Sequence, residues 1–295
     1  MAGQGTKIVA TDYNLIQSKV SGVLGVGSGT SGYGQTVLSN QVSVNQTISS
    51  TQWSNLRLDL LHSRQHQTGN TETLTDPTTS VKISEADRSA YNSMADLVVT
   101  NKLATPPSGQ ATLATVNTGS RTTAWNGTIT HTVTVSFGSA DAARFFFNTG
   151  SEIRFSASRA NGSTSAFGTK NYSWTSALNG MGTIKFGHDS TTCTGTGTAS
   201  TSFGYNQLGL TRTLIFTKYT DTYTPNQYQI EAAFADGTFS SIIFYIYFED
   251  ISGQPNAPWG IDENVDGDLT STVQAYYASG SNVSVPVPAA SSTGP

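Results

Sequence analysis

The hydrophobic positions of the chain follow a helical period in its first third and a period of two in most of the remainder. Three segments repeat apolar residues every three or four positions, which predicts amphipathic helices over residues 11–24, 50–66 and 84–98. The third segment opens with Ser84, and Asp87 follows three positions later, a spacing typical of a capping box. We therefore expect a helical region to precede the rest of the fold.

Beyond Trp125, apolar and polar residues alternate along several short runs. In the clearest run, residues 128–137, every second position is apolar or His131 and every intervening one is Thr or Ser. This alternation predicts a half-buried antiparallel strand. Further strands are predicted at residues 153–157, 228–234 and 283–287, with one short helix at 172–178. Closely spaced strands joined by polar or glycine-rich turns favour a sandwich or barrel.

One predicted strand, residues 242–248, is apolar on both of its faces. Such a strand is expected at the centre of a sheet or at a contact between subunits or sheets. Its residues, with an aromatic side chain from the loop that follows, are our interface candidates. They are Ile242, Phe244, Tyr245, Tyr247 and Trp259.

The predicted fold class is mainly β with an N-terminal α-helical region. We expect residues 1–102 to form a helical and loop assembly region, and residues 103–120, which contain Pro106-Pro107, to form a linker or arm. An antiparallel, jelly-roll-like β-sandwich should occupy residues 121–288. Residues 289–295 are expected to be a flexible tail.

The composition narrows the class of protein. Only 12% of the residues are charged, about half the usual fraction, and Thr, Ser, Asn, Gln and Gly take their place. The net charge of -4 is spread along the chain, so a nucleic-acid surface is not expected. The single Cys193 allows no internal disulfide. Neither a signal-peptide pattern nor a run of about 20 apolar residues occurs, so we expect synthesis in the cytoplasm without membrane insertion.

A calcium loop is the one cofactor site that the sequence suggests. Asp262, Asn264 and Asp266 offer oxygen ligands at alternate positions, and Gly267 follows where the loop must turn. The twelfth position is Val273, which cannot supply the bidentate carboxylate that such loops require. An Asp-Gly turn without metal is the favoured interpretation, and calcium is the alternative.

Other chemical motifs are incomplete. His62 and His66 share a helix face, but no third zinc ligand and no metalloprotease glutamate accompany them, so solvated or capping histidines are favoured. The glycines at 27–32 match a dinucleotide fingerprint but follow a helix instead of a strand. No paired carboxylates and no nucleophile elbow are evident. We therefore expect no enzyme activity.

Several runs of the sequence resemble a family of uncharacterised virion structural proteins of tailed bacteriophages, especially those that infect marine cyanobacteria. The resemblance covers about residues 13–287. The runs are WNGT at 125–128, ARFFFNTGSEIRFSASR at 143–159, RQHQTG at 64–69 and VDGDLTS at 265–271. The resemblance implies a place in the virion and a structural role, and it carries no catalytic residues.

The expected function is that of a subunit of a tail, neck or baseplate-associated fibre or connector. Its expected partners are other copies of itself, as a trimer or ring, and other virion proteins. A capsid decoration protein and a receptor-binding, lectin-like module that recognises a host surface glycan remain alternatives. For the lectin, Trp259 is the candidate sugar-stacking residue.

Overall fold

The computed structural model describes residues 8–77, 82–163, 166–252, 255–256, 261–262 and 264–295. The chain divides into two compact units, each built from three stretches of sequence. Unit 1 comprises residues 1–112, 144–151 and 277–286, and unit 2 comprises residues 113–143, 152–276 and 287–295.

The described residues form five α-helices, two short 3-10 helices and thirteen strands. The helices are α1 (Ala10–Leu24), α2 (Ser50–Thr68), α3 (Glu85–Thr100), α4 (Ala140–Asn148) and α5 (Lys170–Met181), and the 3-10 helices are Ser108–Gln110 and Tyr205–Gln207. The strands are β1 (Ala111–Arg121), β2 (Gly127–Ser136), β3 (Glu152–Ala160), β4 (Ile184–Phe186), β5 (Thr191–Cys193), β6 (Thr198–Ala199), β7 (Thr213–Tyr219), β8 (Gln227–Phe234), β9 (Ser241–Asp250), β10 (Pro255–Asn256), β11 (Ile261–Asp262), β12 (Asp268–Ala278) and β13 (Ala289–Thr293).

Unit 1 is organised around α1, α2 and α3, the three helices that the sequence predicts. Each helix contributes one aromatic ring to a row of three: the ring centroids of Tyr13 and Trp53 are 5.2 Å apart, and those of Trp53 and Tyr91 are 5.1 Å apart. Both contacts are edge-to-face, the geometry that the ring quadrupoles favour. The capping box of Ser84 and Asp87 is confirmed, with reciprocal backbone bonds of 3.1 and 2.9 Å.

Two later stretches complete unit 1, which corrects the prediction of a contiguous assembly region at 1–102. His66 of α2 bonds the carbonyl of Thr149 at 3.0 Å, and Gln65 accepts a bond of 2.6 Å from Asn282. Residues 283–287, predicted as a strand, are not strand in the structure. Their alternation reflects the burial of Val283 and Val285 beside an isolated bridge.

Unit 2 is an antiparallel β-sandwich, as predicted. A five-stranded sheet has the order β1-β12-β3-β4-β5, and a six-stranded sheet has the order β13-β2-β9-β8-β7-β6. Their inner faces meet through aromatic side chains: Phe244 of β9 lies 4.9 Å from Phe155 of β3 and 5.3 Å from Phe186 of β4 between ring centroids. The apolar residues of the alternating patterns therefore form the core between the sheets.

The first strands of the sandwich along the chain, and also the last ones, alternate between the two sheets. β1, β2 and β3 lie in alternate sheets, and so do β9, β12 and β13. This exchange is a jelly-roll feature. In between, β3 to β5 and β6 to β9 form meanders of neighbouring antiparallel strands. The jelly-roll likeness therefore resides in the first and last strands of the sandwich.

The sandwich is longer than the predicted range of 121–288. The predicted linker at 103–120 contains most of β1, which occupies one edge of the five-stranded sheet. The predicted tail at 289–295 contains β13, which pairs with β2 along the edge of the six-stranded sheet. One residue of β1 and none of β13 is buried, so neither strand shows the apolar alternation by which a core strand is recognised in the sequence.

Candidate functional site

The outer face of the six-stranded sheet carries rows of half-buried Tyr, Thr and Ile side chains. On β9, Ile243, Tyr245 and Tyr247 point away from the sandwich core, because their neighbours Ile242, Phe244 and Ile246 are fully buried. In the register of the sheet, Tyr245 lies between Thr132 of β2 and Glu231 of β8, and Tyr247 lies between Thr130 and Gln229. We call the surface formed by residues 130, 132, 229, 231, 243, 245 and 247 the outer tyrosine face.

Polar contacts hold the two tyrosines in fixed positions. The guanidinium of Arg212 lies 3.6 Å from the centroid of the Tyr245 ring, a cation–π contact. The same group donates to the hydroxyl of Tyr247 at 3.3 Å, and that hydroxyl donates to Glu231 at 3.3 Å. Partial burial, together with the Glu231 carboxylate, raises the pKa of Tyr247, so its hydroxyl is a neutral donor at neutral pH.

The interface candidates therefore divide between two environments. Ile242 and Phe244 are fully buried between the sheets, so they make a contact between sheets and are not accessible to a partner. Tyr245 and Tyr247 lie on the outer tyrosine face. Trp259 lies outside the described residues. The alternation of the sequence assigned the two faces of β9 correctly, because the strand is flanked by β2 and β8 and follows a regular pleat.

Asp266, the central residue of the suggested calcium loop, is a hydrogen-bonding hub. Its carboxylate accepts bonds from Arg159 at 2.8 Å, from the side-chain amide of Asn171 at 2.8 Å and from the backbone of Ser163 at 3.1 Å. These bonds lower the pKa of Asp266, with Ser163 the largest contributor. Gly267 has a φ of +95°, as the predicted Asp-Gly turn requires.

This arrangement satisfies the carboxylate of Asp266 with donors from the protein. Asn264 is exposed, and the side chain of Asp262 lies outside the part of the chain that the structure describes. No group of three or more His, Cys, Asp or Glu residues could hold a metal ion among the described residues. The favoured Asp-Gly turn accounts for the geometry of Asp266 without a metal, and calcium stays the untested alternative.

His66 and His131 are buried and serve packing. In unit 2, His131 is fully buried and bonds Ser271 of β12 and Asn117 of β1, both at 2.9 Å, so it connects the two sheets. Burial lowers the pKa of His131. In unit 1, His66 is buried and His62 is partly exposed, so only one of the pair is solvated.

The glycine-rich loop that resembles a dinucleotide motif is packed against α4 within unit 1. Arg144 donates to the carbonyls of Val26 and Ser31, at 3.0 and 2.7 Å. Gly32 has a φ of +106°, and a Cβ there would lie 2.0 Å from the carbonyl oxygen of Val26. The glycines therefore allow the backbone to fold tightly upon itself.

A buried polar cluster in unit 2 was not evident from the sequence. Lys170, the first residue of α5, donates to Asp250 at 3.1 Å, and both side chains are fully buried. The side-chain amide of Asn226 donates to the other oxygen of Asp250. One signal was present: Asp250 continues the inward alternation of Ile246 and Phe248 along β9.

Comparison with known proteins yields no relative: no family model, no curated protein and no solved structure matches the chain. Among the described residues, no helix is both long enough and apolar enough to span a membrane.

Proposed function

We propose that the chain is a non-enzymatic structural subunit of a tailed-phage virion, placed in a tail, neck or baseplate-associated fibre or connector. It acts by associating with copies of itself, as a trimer or ring, and by docking onto other virion proteins. The outer tyrosine face is the observation that carries this proposal. Fixed Tyr side chains among Thr residues supply the large, rigid contact area that protein interfaces favour.

Three further features support a structural role. The sandwich encloses an extensive aromatic core. Its first and last strands alternate between the two sheets, as in the jelly rolls of viral shells. The sequence also resembles virion structural proteins along most of its length. Charged residues are scarce, so few desolvation penalties oppose burial of its surfaces in an assembly.

A lectin-like module is the second candidate, because the outer tyrosine face also has the elements of a sugar platform. Tyr245 and Tyr247 present aromatic rings, and Gln229 and the threonines of β2 present hydrogen-bonding groups. A lectin predicts glycan binding that is lost in Trp259→Ala or Tyr245→Ala without loss of folding. A capsid decoration protein, the third candidate, predicts binding to empty heads without tail proteins.

Sedimentation velocity of the purified chain tests self-association through the outer tyrosine face. We expect the wild type to form a trimer or ring. Tyr245→Ala should weaken the association about tenfold or more, because truncating a central interface aromatic commonly costs more than about 1.4 kcal/mol.

Phe167→Ala is the matched control, since Phe167 is a strongly exposed aromatic of unit 2 that precedes α5 and lies outside both sheets. It should associate as the wild type does. A wild type that stays monomeric at every concentration, or a Tyr245→Ala variant that associates normally, contradicts self-association through this face.

A further inference from the structure

The buried cluster of Lys170, Asn226 and Asp250 combines the groups needed for an amide-forming reaction. Lys170 supplies a primary amine, Asn226 a carboxamide and Asp250 a carboxylate that contacts both. All three side chains are buried in unit 2. A buried ion pair alone contributes little net stability, because desolvation offsets the attraction between the charges. The Asn226 carboxamide beside this ion pair supplies a carbonyl carbon that the amine of Lys170 can attack.

The carbonyl oxygen of Asn226 is held by two backbone donors. Ile251 N–H donates to it at 2.8 Å and Ser252 N–H donates to it at 2.6 Å. Two backbone N–H groups on one carbonyl oxygen form an oxyanion hole, which stabilises the negative charge that develops when a nucleophile adds to the carbon. The carbonyl oxygen of Asn226 has two lone pairs, so it can accept both bonds at once.

The nitrogen of the same carboxamide donates to Oδ1 of Asp250, while Nζ of Lys170 donates to Oδ2 at 3.1 Å. Asp250 therefore contacts both the attacking nitrogen and the leaving nitrogen. A carboxylate in this position can accept a proton from one nitrogen and deliver it to the other.

Aromatic side chains pack beside the cluster and hold its three elements together. Trp174 lies one turn after Lys170 on α5, and Phe248 precedes Asp250 on the inner face of β9; their ring centroids are 6.2 Å apart. Tyr228, two residues after Asn226, meets Phe248 at 5.1 Å. The reacting groups are thus held in a dry, fixed geometry, which favours an intramolecular reaction.

We infer that Lys170 and Asn226 form an intramolecular isopeptide bond, with Asp250 as the proton-transfer residue. Asp250 takes a proton from the Lys170 ammonium, and the freed amine attacks Cγ of Asn226. The resulting oxyanion is held by the N–H groups of Ile251 and Ser252. Asp250 returns its proton to Nδ2, the Cγ–Nδ2 bond breaks, and nitrogen departs as ammonium with the proton released from Nζ.

The product is a secondary amide that joins the start of α5 to the start of β8, and Asp250 ends in its initial state. No oxidant or other reactant is required. The crosslink concerns unit 2 itself, so it does not depend on the proposed function.

Mass spectrometry of the denatured wild-type chain is the first test, and it needs no variant. The expected mass is that of the sequence less one ammonia. After trypsin, the fragment of residues 160–185 should be uncleaved at Lys170 and joined to the fragment of residues 219–295. Joining matters, because a succinimide at an Asn-Gly pair such as Asn126-Gly127 also releases ammonia but joins no fragments. An unlinked wild type overturns the inference.

Further cleavage after Glu231 separates Asn226 from Asp250 and locates the bond. Attachment at Asp250, with loss of water instead of ammonia, contradicts the assignment of Asn226. Asp250→Asn should fold but remain unlinked, and circular dichroism checks its folding. Lys218→Met is the matched control, because Lys218 lies on β7 of the same unit and its amine donates to Thr196, which is not part of the cluster, so this variant should retain the bond. A fully linked Asp250→Asn variant contradicts the role of Asp250.

Discussion

His66 makes a sharp test of the packing in unit 1. Its side chain is fully buried, its Nε2–H donates to the carbonyl of Thr149 at 3.0 Å, and its ring lies 5.0 Å from that of Tyr33. Burial lowers the pKa of His66 to about 4, although the Thr149 bond opposes the shift. The folded protein therefore keeps this imidazole neutral at neutral pH.

Unfolding returns His66 to water, where its pKa is about 6.5. As the pH falls from about 6.5 to about 4, the unfolded chain binds a proton that the folded chain excludes, so the free energy of unfolding decreases. Above about pH 6.5, His66 is neutral in both states and does not lower the free energy of unfolding. From these pKa values, the contribution of His66 is a loss of about 2 kcal/mol at about pH 5 and about 3 kcal/mol once both states are protonated.

The assay is urea unfolding at pH 7.5 and pH 5, followed by the circular dichroism of the helices. His66→Gln keeps an N–H that can bond Thr149 but does not titrate, so it should lose about 2 kcal/mol less than the wild type over this interval. His62→Gln is the control, because His62 lies one turn earlier on α2 and is partly exposed. Equal pH dependence in all three proteins would refute the argument.

Two further predictions concern side chains that hold each unit together. Trp53→Ala should lower the free energy of unfolding of unit 1 by about 3–5 kcal/mol, because it removes the ring between Tyr13 and Tyr91; urea unfolding measures this, and a loss below about 1 kcal/mol contradicts it. Asp266→Asn should cost about 3 kcal/mol, because it leaves the buried guanidinium of Arg159 without its carboxylate. Thermal unfolding with calcium and with a chelator should show the same loss, and a loss that appears only with calcium would favour the metal site. Asp268→Asn is the control: its carboxylate is partly exposed and bonds the side chain of Asn161 instead of a buried guanidinium, so it should cost less than about 1 kcal/mol.

The sequence predicted the elements whose residues face a core on one side. Helices α1, α2 and α3 were found because each buries one apolar stripe, and β2 was found because Val133 and Val135 alternate with threonines. The central position of β9 followed from its two apolar faces. These are local signals that survive without knowledge of the tertiary structure.

The elements that were missed depend on contacts distant in the sequence. The run Phe145-Phe146-Phe147 has no helical period of its own, yet it lies in α4, where Ser139 bonds the backbone of Ala142 at 3.0 Å as a cap. β13 is a short run of Ala, Ser and Thr that becomes a strand only because β2 offers an edge. The cluster around Asp250 joins residues 80 and 24 positions away, so no spacing in the sequence reveals it.

Electron microscopy of phage particles tests the central claim most directly. An antibody raised against the purified chain, coupled to gold, is applied to particles of the proposed source, a tailed phage that encodes this sequence. The account predicts label on the tail, neck or baseplate, at positions repeated with the symmetry of that structure. Label over the head would favour a decoration protein instead. If intact and disrupted particles both remain unlabelled while an antibody to a known virion protein labels them, the virion assignment is wrong.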